Sequence, residues 1–163
     1  MIETERLLLY PLSAGQLNLL ANNIKSLETE LRCSYRGEPI EGELLNIVKG
    51  QIPLIELDEA NYIYLSFWLI MRKDDRTVIG SVCFKNLPDA NGEIEIGYGL
   101  ASEFESKGYM TEAVQAFCRW ALEQESISSV IAETDTCNLK SHGVLQRCGF
   151  EVYKTEEAIW WRL

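Results

Sequence analysis

The residues best suited to chemistry stand in one polar turn, Glu105-Ser106-Lys107-Gly108-Tyr109-Met110-Thr111, between a strand-like run, IEIGYGL, and a long amphipathic stretch. The first N–H groups of a helix have no partner within it, and the helix dipole adds positive potential there. A phosphate can take several of those N–H bonds at once, provided the backbone comes close. Gly108 permits that approach because it has no Cβ. Lys107 adds a cation, and Thr111 a hydroxyl that can reach the same oxygens. The plainer alternative is an ordinary loop feeding a core helix, with Gly108 serving only the turn.

The elements around this turn must hold it open. After it, Met110, Ala113, Val114, Phe117, Trp120 and Ala121 form one apolar stripe at spacings of three and four, with Glu112, Gln115, Arg119 and Glu123 opposite. Before it, Asn91-Gly92 signals a turn into a strand from Glu93 to Gly99. After the helix, Ser129 to Thr134 is a further strand. A strand–helix–strand crossover brings its two strands in parallel. If they diverge, they leave a wedge beside the helix N-terminus for a long, phosphate-tailed ligand. Asn138 can then cap a short helix carrying Val144, Leu145 and Cys148, closed by Gly149.

The remaining chain reads as scaffold. Arg6 to Tyr10 is a short strand closed by Pro11. Ser13 caps a helix with Leu17, Leu19, Leu20 and Ile24 that ends before Cys33. Pro39 starts a second helical stretch through Leu44, Leu45 and Val48, which Gly50 and Pro53 are expected to stop. From Tyr62, YIYLSFWLIMR reads as a buried strand, paired as a hairpin with Thr77 to Phe84. Phe150 to Tyr153 and Ala158 to Arg162 finish the chain as strands. The fold class is α+β, or mixed α/β, with helices on the faces of a central sheet. With no repeat, low-complexity tract or linker, one domain over residues 1–163 is expected.

Composition narrows the partners. Hydrophobic residues make up 47% and charged residues 25% of the chain, ordinary values for a globular domain. Lys plus Arg number 15 against 25 Asp plus Glu, a formal net charge of −10. So acidic a chain is a poor binder of a phosphate backbone, which argues against direct nucleic-acid contact. It suits a cationic substrate such as an amine, or serves solubility alone. The longest apolar run, Ile63 to Met71, is too short to span a bilayer, and the N-terminus has no signal-like pattern, so a cytoplasmic protein without membrane contact is expected. The five cysteines follow no disulfide-framework spacing, and three sit in apolar patterns as small core residues.

Taken together, these residues resemble the GNAT acyl-CoA N-acyltransferases, and within them the branch of ribosomal-protein N-terminal acetyltransferases. The resemblance runs from Thr4-Glu5-Arg6-Leu7-Leu8-Leu9 through Val78-Ile79-Gly80, Glu95-Ile96-Gly97-Tyr98 and Lys107-Gly108-Tyr109-Met110-Thr111-Glu112-Ala113. It ends with Asn138-Leu139-Lys140-Ser141, Leu145, Arg147 and Gly149-Phe150. It implies a mixed, mostly antiparallel sheet whose one parallel pair splays at the CoA site, with helices on both faces. The cosubstrate implied is acetyl-CoA, with no metal. The turn from Glu105 to Thr111 would hold its pyrophosphate, and backbone near Tyr98, Gly99 and Leu100 would line the pantetheine arm and thioester. Asn138 would bond that arm, and Arg147 would lie near the adenosine phosphate. The family's phosphate motif, R/Q-x-x-G-x-G/A, departs here at Glu105 and Met110. A carboxylate at Glu105 would repel phosphate unless it turns away.

The implied reaction is direct attack of an amine on the thioester. At neutral pH roughly one α-amino group in ten is free, against about one lysine in a few thousand, so a base matters much less for an N-terminus. Glu93, Glu95 and Gly97 share a strand face, and Glu95 is the better-placed base, through water. Its alternative is a structural hydrogen bond. Where many relatives place a tyrosine, seven residues after the asparagine, this chain has Leu145, which leaves Ser141 as the hydroxyl to serve the departing thiolate. Ser141 could instead only bond the helix N-terminus. A Cys137–His142 nucleophile pair lacks an identifiable orienting group, and Cys137, His142 and Cys148 fit no structural zinc spacing. The acceptor is expected to be a protein N-terminus or a small-molecule amine, in a monomer or homodimer. The rival is a GNAT-fold module that binds acyl-CoA without turnover.

Overall fold

In a computed structural model that describes residues 1–163, apolar runs build a nine-stranded mixed sheet. Its strands are β1 (Ile2–Glu3), β2 (Leu7–Pro11), β3 (Ser34–Tyr35), β4 (Phe67–Arg72), β5 (Thr77–Phe84), β6 (Glu93–Leu100), β7 (Ser129–Asp135), β8 (Glu151–Thr155) and β9 (Ala158–Arg162). Their spatial order is β1-β2-β4-β5-β6-β7-β9-β8, with β3 on the edge of β5. Pairing is antiparallel except for β6 with β7 and β3 with β5. The β6–β7 pairing covers only Glu93–Glu95 against Ser129–Ile131. Beyond it, β6 stays with β5 while β7 stays with β9, so the two strands splay toward their C-terminal ends.

Helices cover both faces. On one, α5 (Tyr109–Leu122) drives Met110, Ala113, Val114, Phe117 and Ala121 into a core with Trp68, Ile79, Phe84, Ile94 and Ile96. Rings of Phe84 and Phe117 stack there at 4.4 Å between centroids. On the other face, α1 (Ala14–Asn22), α2 (Ile24–Leu31) and α3 (Gly42–Leu57) bury Leu17, Leu20, Leu27, Val48 and Ile55 against Leu69, Met71 and Val78. The sheet is therefore lined on both sides, and β4 and β5 are buried almost end to end. A further helix, α6 (Leu139–Arg147), lies beside α5.

Three local expectations are corrected. The expected first helix is two helices, broken at Asn23, whose side chain accepts the Ser26 N–H and starts α2. α3 runs through Gly50 and Pro53 instead of stopping at them. Pro53 removes one helical bond, an effect of about 3 kcal/mol in a helix interior, but Val48, Gln51 and Ile55 are buried, and that tertiary contact overrides local propensity. Tyr62–Leu65 is a short helix, α4, not the start of a strand. Its side chains follow helical spacing: Tyr62 and Leu65 pack on one core while Ile63 and Tyr64 pack on the other. The Trp68 indole N–H donates to the Ile63 carbonyl at 2.8 Å and fixes the turn into β4.

Gly80 shows how tightly β5 and β6 meet, because a Cβ there would overlap the Gly99 carbonyl oxygen and stand 3.0 Å from Leu100 Cα. Gly80→Ala should therefore destabilise the fold by about 1–3 kcal/mol through overpacking. Urea unfolding would measure it, and an unchanged midpoint would show that the strands can part freely.

Candidate active site

The splay of β6 from β7 leaves a cleft of about 410 Å³ between the end of β6, the N-terminus of α5 and the first turns of α6. Tyr98, Gly99 and Leu100 form one wall, Glu105, Ser106 and Gly108 to Thr111 another, and Asn138 to Ser141 with Arg147 a third. Twelve of the fourteen residues singled out from the sequence thus meet here: of Glu95, Ser141, Tyr98 to Leu100, Glu105 to Thr111, Asn138 and Arg147, only Glu95 and Lys107 lie outside the lining.

The turn before α5 is shaped for anions. Ser106 and Gly108 both have positive φ, 61° and 79°, flanking Lys107. Alternating left-handed residues turn successive N–H groups to one side, a concavity that binds anions. No side chain caps α5, so the N–H groups of Tyr109, Met110 and Thr111 keep no intrahelical acceptor. The cations differ from those expected. The Lys107 ammonium donates to the Glu103 carbonyl at 2.8 Å and lies against the Phe104 ring, away from the cleft. Lys140 and Arg147 stand in the lining instead, with Arg147 Nε donating to Thr111 Oγ1 at 3.3 Å. Lys140 pairs with Glu105 at 2.5 Å, so the carboxylate expected to repel phosphate is neutralised. Met110 points its side chain into the core, 6% exposed, and does not crowd the turn.

The bend between β1 and β2 braces this turn from behind. Arg6 donates to the Lys107 carbonyl at 2.9 Å, pairs through Nε with Glu112 at 2.7 Å and lies over the Tyr109 ring. Partial burial pushes the Glu112 carboxyl up, but hydrogen bonds from the Thr4 hydroxyl and from Arg6, with its charge, hold it below the usual glutamate range. A carboxylate lowered in this way stabilises the fold fully above its ordinary range, and that support is lost as pH falls through the lowered value.

On α6, the cap is Asn138: its side chain accepts the Ser141 N–H at 3.1 Å. The Ser141 carbonyl accepts from the Tyr98 hydroxyl at 3.4 Å, tying the two cleft walls together. Burial pushes the Tyr98 phenol up to about 12, so it keeps its proton at neutral pH. Leu145 is fully buried and takes no part. Glu95 is held by Lys85 in an ion pair, and Lys85 also reaches Glu133 at 3.7 Å. Cys137 donates its thiol to Asp135, whose carboxylate raises the thiol pKa, the opposite of thiolate activation. His142 contacts the Asp135 carbonyl and the Trp161 ring.

Two lining residues, Gly143 and Glu38, carried no sequence signal. Glu38, from the loop after β3, lies over the backbone of Gly99, where a Cβ would overlap its carboxylate. The loop reaches this place because β3 occupies the edge of β5 beyond the end of β6, with the Arg36 N–H donating to the Val78 carbonyl.

The sequence matches the acetyltransferase (GNAT) domain family over residues 6–151. It is 39% identical over 83 residues to the uncharacterized N-acetyltransferase YjdG of Bacillus subtilis, a match spanning 51% of this chain and 49% of that protein. The chain thus spans about half the length of that curated relative. In fold it resembles the ribosomal-protein-S5-alanine acetyltransferase of Vibrio fischeri, with a TM-score of 0.69 at 22% identity over 99% of this chain and 94% of the other. It also resembles RimL, a ribosomal L7/L12 α-N-protein acetyltransferase solved in complex with coenzyme A, with a TM-score of 0.69 at 18% identity over 98% and 94% of the two chains. With its family's domain matched over most of its length and its sheet splayed at the same cleft its sequence pointed to, the chain belongs to the GNAT acetyltransferases.

Proposed function

We propose that this protein transfers an acetyl group from acetyl-CoA to a primary amine, and that the acceptor is the α-amine of a protein N-terminus. The carrying observation is the cleft itself: an uncapped helix N-terminus preceded by two left-handed residues, facing Arg147 and the Lys140–Glu105 pair across the gap between splayed parallel strands. A diphosphate fits such donors, and a long thiol-terminated arm fits the gap. The names of the ribosomal-protein acetyltransferases that share the fold favour a protein acceptor over a small-molecule amine.

Acetyl-CoA supplies an activated acyl carbon and a thiolate leaving group. The N–H groups at the start of α5, with Arg147, hold phosphate charge, while Lys140 offsets the Glu105 carboxylate. Backbone of Gly99 and Leu100 lines the arm, and Asn138 fixes α6 so that Ser141 faces the cleft. Ser141 donates a hydrogen bond to the departing sulfur. Glu95, four residues from Gly99 and roughly 13 Å along the strand, would act only through water. An α-amine needs little help there, since roughly a tenth of it is already free at neutral pH.

The non-catalytic alternative drew on Glu105 and Met110, and both are turned to other uses, one paired with Lys140 and one packed in the core. Acetyl-CoA at 100 times its dissociation constant should stabilise the fold by about 2.7 kcal/mol, read as a rise in melting temperature. A melting temperature unmoved by millimolar acetyl-CoA would defeat the proposal. Thiol release on addition of peptides with free N-termini separates the enzyme from the silent module.

A further inference from the structure

Around the cleft and its neighbouring strands, carboxylates are already partnered. Glu112 pairs with Arg6, Glu105 with Lys140, Glu103 with Arg36, Glu95 with Lys85 and Glu93 with Arg162. Glu38 is the exception in the cleft lining: its carbonyl accepts from the Tyr35 hydroxyl at 2.9 Å, but its carboxylate is in no ion pair. It lies on the β6 face that bears Gly97 and Gly99, and its carboxylate takes the space that a side chain at Gly99 would fill. The loop that carries it is fixed at both ends of its approach. Arg36 binds Glu103 at 2.8 Å on one side, and the Tyr35 hydroxyl holds the Glu38 carbonyl on the other.

We infer that Glu38 is the acceptor-binding residue, its carboxylate receiving the ammonium of an amine that has no carboxylate on the same carbon; one proton leaves that ammonium to water before the neutral amine attacks the thioester. The inference rests on the acetyltransferase reading of the cleft. An exposed carboxylate that overhangs the Gly99 end of the cleft and is in no ion pair attracts a positively charged group and orients it through charge-assisted hydrogen bonds. It also selects. A free amino acid brings its own carboxylate within a few ångströms of its ammonium and meets Glu38 with like charge, whereas a peptide N-terminus has an amide at that position. Glu95 cannot serve this role, because Lys85 already occupies it and it stands well back along the strand.

The test uses the whole chain, acetyl-CoA, hexapeptides beginning with Ser, Ala or Met, and free serine and alanine, with thiol release as readout. Wild-type protein should acetylate at least one peptide and prefer it to the matching free amino acid. Glu38→Gln should raise the peptide KM about tenfold or more, the range expected for losing a hydrogen bond to a charged group. The dissociation constant for acetyl-CoA should stay within about twofold of wild type, and the melting temperature should not change. Its preference for peptide over free amino acid should also narrow, and Glu38→Asp should restore part of the lost KM. Peptide KM and preference both unchanged in Glu38→Gln would overturn the inference while leaving the acetyltransferase reading intact. Failure of wild-type protein to bind acetyl-CoA, or to acetylate any peptide, would remove both.

Discussion

Gly108→Val protein is expected to fold with its core intact and to bind no acetyl-CoA at any practical concentration. Gly108 has φ of 79°, a conformation that disfavours L-residues by roughly 1–2 kcal/mol, and a β-branched side chain is among the worst to place there. A Cβ at this position would also stand 3.3 Å from the Arg6 guanidinium that braces the turn. The turn would respond by abandoning the left-handed geometry, and the N–H groups it aims into the cleft would turn with it. The core flanks the turn, with Phe104 before it and Met110 after it, and neither is the residue substituted. Titration of the variant by calorimetry beside a melting curve measures both halves. Wild-type affinity in folded Gly108→Val protein would show that the phosphates lie elsewhere.

The second large effect is expected at Ser141. A CoA thiol has a pKa near that of cysteine, roughly 8.5, so its thiolate is a tolerable leaving group and a hydroxyl donor supplies only part of its stabilisation. Loss of one well-placed donor in a dry site slows turnover about 10²-fold or more, and this leaving group favours the lower end. The folded chain makes the variant unusually clean. Capping of α6 belongs to Asn138, which accepts the Ser141 backbone N–H, so Ser141→Ala removes no cap. Its melting temperature and acetyl-CoA affinity should therefore stay at wild-type values while kcat falls. Asn138→Ala is the control, with a loss of about 1 kcal/mol of stability. An unchanged kcat in Ser141→Ala would pass the donor's role to the Tyr98 phenol, which stays protonated and touches the same turn of α6.

Much of the site could be read from the sequence because its determinants are local. A glycine before an apolar stripe of helical period marks the start of α5, and Asn138 before a second stripe marks α6. The strand–helix–strand order between Glu93 and Asp135 then requires a parallel pair, and so a cleft at its end. What local pattern could not supply was direction and partnership. Lys107 stands in the turn by sequence, yet its ammonium bonds the Glu103 carbonyl because the chain before it folds back as a 3-10 turn, Ser102–Phe104. Glu105 looked like a repulsive charge until α6 brought Lys140 across from thirty-five residues away. Pro53 looked like a helix end until the burial of Val48, Gln51 and Ile55 outweighed one missing bond. Glu38 lies 61 residues before Gly99 and reaches it only because β3 fills the edge of β5 that β6 leaves vacant. Backbone periodicity and glycine conformation act within a few residues and are written in the chain. The pairing of charges and the facing of side chains depend on which distant segments the sheet brings together, and only the folded protein decides that.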